Sequence, residues 1–119
     1  MCLFTNQKKP LIADRDIICY KIVRRTRYSR RFESLYTHFP YELGKTYKKH
    51  FWNRVVKEKT LISESRIYGG VFHSYRRIQS HHPADNLAYV QCIIPKGTKY
   101  YEGLFGDLCS RAIKIVQVI

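Results

Sequence analysis

Ile17-Ile18-Cys19-Tyr20-Lys21-Ile22-Val23 sets the architecture of this chain. Four β-branched residues and a tyrosine in seven positions, with Lys21 the one charge, predict a strand in the middle of a sheet with both faces covered. Upstream, Lys8-Lys9-Pro10 interrupts any regular pattern before Leu11, Ile12 and Ala13, so residues 1–15 read as an irregular arm. Downstream, Phe32, Leu35, Tyr36, Phe39 and Tyr41 sit among polar residues around Pro40, which argues for a loop or short edge strands. Gly44 marks a turn into another short strand, and residues 45–59 suit either a short amphipathic helix or a decorated loop.

Further strands are expected at residues 61–68, ending at Gly69-Gly70, and then at 71–73. Three more are expected at 88–94, stopped by Pro95-Lys96-Gly97, at 98–101 and at 112–119. Ser74 can cap a helix of one or two turns running to His81, because its hydroxyl accepts an early orphan amide and Pro83 blocks continuation. The expected fold is one α+β domain over residues 1–119, with a mostly antiparallel twisted sheet and one or two short helices.

The charge is the second constraint. The 119 residues carry 22 Lys and Arg against 9 Asp and Glu, a net charge of +13. Solubility alone favours magnitudes of about 2 to 8 in a small domain. Self-repulsion at this level is relieved by a negative partner, with nucleic acid first, acidic protein second and an anionic membrane surface third. No apolar run approaches the roughly 18 residues needed to cross a bilayer, and the first residues are too short for a secretory core, so a cytoplasmic protein is expected. Cys2, Cys19, Cys92 and Cys109 form no Cys-x-x-Cys pair, which predicts reduced thiols, no metal site and no cofactor.

Residues 1–59 hold 15 basic and 5 acidic side chains, against 7 and 4 in residues 60–119, so the binding face is expected in the first half. Arg24, Arg25, Arg27, Arg30 and Arg31 fall within eight residues with Tyr28 among them and no acid. Guanidinium forks grip phosphate bidentately and stack on bases, a chemistry suited to RNA. A second group, Lys45, Lys48, Lys49, Arg54, Lys57 and Lys59, interleaves with Tyr47, Phe51 and Trp52, as cations that track phosphates beside stacking platforms do. Folding can add Arg76 and Arg77 to the same surface. Each group also fits a solvated charged face, and Phe51 and Trp52 also fit a core.

His73, His81 and His82 raise the possibility of general acid-base cleavage of RNA, but their spacing compels no catalytic reading. The nine acids are scattered, which disfavours a two-carboxylate metal nuclease. Gly69-Gly70, Gly103 and Gly106 lack the strand-glycine-helix order of a nucleotide cradle and read as turns.

Three blocks, residues 41–47 (YELGKTY), 70–75 (GVFHSY) and 94–103 (IPKGTKYYEG), with the closing Ile113-Lys114-Ile115, resemble a group of small uncharacterised bacterial and bacteriophage proteins. This chain departs from that group by an added valine before Phe72 and by heavier basic charge over residues 21–59. The resemblance marks no active site. It implies a phage-type accessory protein, similar in kind to inhibitors of host nucleic-acid defence such as anti-CRISPR proteins. The expectation is therefore a non-enzymatic protein that binds RNA or an RNA-guided ribonucleoprotein, such as a CRISPR nuclease with its guide RNA, in a bacterial cytoplasm. A small metal-independent ribonuclease and a cationic binder of an acidic protein groove stand as alternatives.

Overall fold

The computed structural model of the protein describes residues 2–5, 9–35, 38–49, 55–58, 64–68, 72–78 and 84–119, with residues 2–5, 55–58 and 64–68 described by their backbone alone. Strands form β1 (Cys2–Thr5), β2 (Leu11–Ile12), β3 (Ile17–Arg25), β4 (Arg31–Ser34), β5 (Pro40–Glu42), β6 (Thr46–Lys48) and β7 (Val55–Glu58). They continue as β8 (Glu64–Tyr68), β9 (Phe72–Tyr75), β10 (Leu87–Ile94), β11 (Lys99–Glu102), β12 (Asp107–Ser110) and β13 (Ala112–Val118). Every pairing among them is antiparallel.

The described residues contain no helix, so the α+β expectation is corrected to all-β. Ser74 does not cap a helix. It lies in β9, where Phe72 and Ser74 are buried while His73 and Tyr75 are half-buried, a period of two that the ladder to β12 enforces. The remainder of that expected helix, from residue 79, lies outside the described residues. Within residues 45–59, the described positions form β6 and β7 and no helix, while residues 50–54 and 59 lie outside the described residues. The arm expected to be irregular pairs twice, β1 with β8 and β2 with β11.

The larger sheet runs β2-β11-β12-β9-β3-β10-β13-β6, and β4 branches from β3 to hold β5. A smaller sheet, β1-β8-β7, brings β1 against β12. β3 is the pivot. One edge pairs along its length with β10; the other pairs with β9 at Tyr20 and with β4 at Val23–Arg25, so one strand feeds two directions. It is central as expected, but its faces are unequal: Cys19, Lys21 and Val23 are buried, whereas Ile18 is 53% exposed. Neither an unbroken apolar run nor the charge on Lys21 reports which face turns inward.

The core is built from Cys19, Val23, Phe32, Tyr41, Phe72, Val90, Cys92, Ile94, Leu108, Ile113 and Ile115. Each large apolar side chain buried this way stabilises the fold by roughly 1.5–3 kcal/mol. The short edge strands β4 and β5 close one end by turning Phe32 and Tyr41 inward. Phe39, Tyr41, Tyr47 and Phe72 meet there in tilted and edge-on contacts, with centroids 5.1 Å apart for Phe39 and Tyr41 and 5.8 Å for Phe39 and Phe72. The Glu42 amide donates to the Tyr47 hydroxyl at 2.7 Å, so that ring's polar tip is satisfied.

Candidate nucleic-acid interface

The connection between β3 and β4 carries the arginine cluster, and its shape follows from one hydroxyl. Thr26 Oγ1 accepts from the Tyr28 amide at 3.1 Å and donates to the Arg31 carbonyl at 2.7 Å, which ties the tip into a short local turn. Tyr28 is 50% exposed, and Arg27 and Arg31 each lie over its ring, 5.1 Å from the centroid. Arg30 is exposed beside them, and its carbonyl accepts from the Leu43 amide at 3.0 Å. That bond brings the turn between β5 and β6 against the tip.

Gly44 adopts a φ of 85° in this turn, a conformation that suits glycine, and so places Lys45 next to Glu42. The two form an ion pair at 2.9 Å. Lys45, with Arg31 and Arg30 behind it, holds the Glu42 carboxyl below the usual carboxylate range, and Glu42 in turn raises Lys45. One carboxylate thus sits among Arg30, Arg31 and Lys45, and the positive excess remains. Strand β6 extends the strip: Thr46 pairs with Lys114 and Lys48 with Ala112, so Lys114 and Lys48 share an exposed outer face. Lys114 was legible as the polar member of Ile113-Lys114-Ile115, but nothing local joins it to residues seventy positions away.

Other described candidates have partners of their own or lie away from the tip. Arg24 pairs in register with Glu33, and its Nη1 lies 3.3 Å from Nδ1 of His38, which is 3.2 Å from Glu33. Arg25 turns its Nε to the Leu87 carbonyl at 3.3 Å. Lys49 is half-buried over the Phe39 and Phe72 rings, at 5.1 and 4.7 Å, and that burial lowers its ammonium. Arg76 and Arg77 follow β9, which runs antiparallel to β3 from Tyr75 opposite Tyr20, so they leave toward the end of the sheet away from the tip. With about 3.3 Å per residue, the separation from Arg27 is on the order of 25 Å. Arg76 instead ion-pairs with Glu102. Lys57 lies in β7, where only the backbone is described, while Phe51, Trp52, Arg54, Lys59, His81 and His82 lie outside the described residues.

His73 pairs in register with Cys109, and its Nδ1 lies 3.6 Å from the Cys109 sulfur. Burial, then Lys21 and Lys49, push the imidazole down to about 3, while burial pushes the Cys109 thiol up. At neutral pH this pair is an uncharged ring and a protonated thiol, the reverse of an activated nucleophile. Among the described residues, no three His, Cys, Asp or Glu side chains gather to hold a metal ion, and no helix is long and apolar enough to cross a membrane. Comparison with family models, curated proteins and solved structures gives no match to this chain.

Proposed function

We propose that this protein binds single-stranded RNA, free or within an RNA-guided ribonucleoprotein, through the tip between β3 and β4 and the basic strip that leads from it to Lys48. The observation that carries this reading is the half-exposed Tyr28, with the Arg27 and Arg31 guanidinium groups both over its ring. Such a platform offers a π-face to an unstacked base and guanidinium groups to the phosphates on either side. The strip contributes Arg30, Lys45, Lys114 and Lys48 along a path that one extended strand of nucleotides can follow. A role as a phage-type inhibitor of host defence extends this reading and rests on the resemblance of the three sequence blocks.

A salt titration of RNA binding tests it. Six phosphate contacts give a log–log slope near −4, at about 0.7 per neutralised phosphate of a single strand. A slope near zero, or partner capture that survives nuclease treatment with no RNA affinity, would replace this reading with a protein-only one.

A further inference from the structure

β3 and β10 run side by side through the middle of the sheet, and their register sets Cys19 directly opposite Cys92. Both are fully buried free thiols. Opposed Cα atoms of an antiparallel pair stand about 4.5 or 5.5 Å apart, inside the span of about 4.4–6.8 Å that disulfides bridge. Buried cysteines often serve as small apolar residues. Here two are paired face to face, with Lys21 two residues along on the same buried face and the Ser74 hydroxyl beside Cys19. Cys109 is the internal contrast. It is equally buried, but its strand partners are His73 and Tyr101, with no thiol opposite.

We propose that Cys19 and Cys92 form a redox-active dithiol whose oxidation closes a cross-strand disulfide and staples β3 to β10. The oxidant is a low-molecular-weight disulfide such as oxidised glutathione. The Cys19 thiolate attacks one of its sulfurs, giving a mixed disulfide and releasing one glutathione, which takes up the proton that Cys19 lost. Cys92 then gives up its proton and attacks the Cys19 sulfur, forming the Cys19–Cys92 bond and releasing the second glutathione. Two protein thiols are oxidised and one glutathione disulfide is reduced to two thiols. Cys92, followed by Ser74 and Lys21, holds the Cys19 thiol below its ordinary range, while Cys19 and burial push Cys92 up. Because neither sulfur is exposed, exchange proceeds through local opening of the sheet and is slow.

The test equilibrates the full chain in glutathione buffers of increasing oxidation, quenches free thiols by alkylation under denaturing conditions, and maps the linked peptides. The expected result is one bond joining Cys19 to Cys92 with Cys109 still alkylated, and a melting temperature raised by at least about 10 °C. A Cys2→Ser/Cys109→Ala variant isolates the pair and should behave alike. Recovery of Cys19 and Cys92 as free thiols under the most oxidising buffer, or linkage of either one to Cys109, overturns the proposal.

Discussion

The Arg31 guanidinium carbon lies 5.1 Å from the centroid of the Tyr28 ring, and Arg27 matches it at the same distance. Tyr28 itself is 50% exposed, so its side chain is open to a ligand. Base stacking on an aromatic platform contributes about 1–3 kcal/mol per base. Tyr28→Ala should therefore weaken binding of single-stranded RNA about tenfold or more, while Tyr28→Phe should bind like the parent. Equal affinity of parent and alanine variant in a fluorescence anisotropy titration would remove the stacking platform from the reading.

Phosphate contacts should register individually in salt dependence. Arg27→Gln, Arg30→Gln and Arg31→Gln should each flatten the slope by about 0.7. Arg77→Gln, at the far end of the sheet, should leave it unchanged. If Arg77 matters as much as Arg30, the affinity reflects net charge rather than a site.

Lys21 is buried, with its ammonium donating to the His73 carbonyl and lying 5.5 Å from the Tyr41 ring centroid. Burial lowers its pKa, with Cys92 and Cys19 opposing the shift. Among the described residues no carboxylate offsets the desolvation, and one hydrogen bond contributes only about 1 kcal/mol net. Lys21→Met keeps the volume and removes the charge, so it should leave stability unchanged or raise it by about 1 kcal/mol in chemical denaturation. A loss of more than about 2 kcal/mol would mean the amine holds β3 to β9 more firmly than this balance allows.

Acid should destabilise the protein through His73. The folded imidazole titrates near 3, against 6.5 unfolded, so the unfolded chain binds more protons between those values. This contribution is fully present above pH 6.5 and declines as pH falls toward 3, by at most roughly 5 kcal/mol. His73→Gln should flatten that limb of the pH–stability curve, and an unaltered limb would place the acid sensitivity elsewhere.

Much of the fold could be read along the chain because strand propensity and turn chemistry are local. The segments at 17–23, 88–94 and 112–119 became β3, β10 and β13, and Pro40 and Gly44 marked the short strands at the aromatic end. β12 was missed: Asp107-Leu108-Cys109-Ser110 has no β-branched residue, and its strand character comes from β9 and β11 on either side. Ser74 failed the other way. A good capping residue was overruled by partners that completed a sheet.

The candidate site divides along the same line. The sequence by itself determined that five arginines and a tyrosine crowd one short span and that the strong β-formers become strands, because composition and backbone preference act between neighbours. Tertiary structure alone decided that Arg24 and Arg25 turn to groups of their own sheet, that Lys114 joins Lys48, that Arg76 and Arg77 leave for the opposite end, and that Cys19 meets Cys92. Those outcomes depend on pairing register between distant segments, and a shift of one residue reverses every face, which no local pattern encodes.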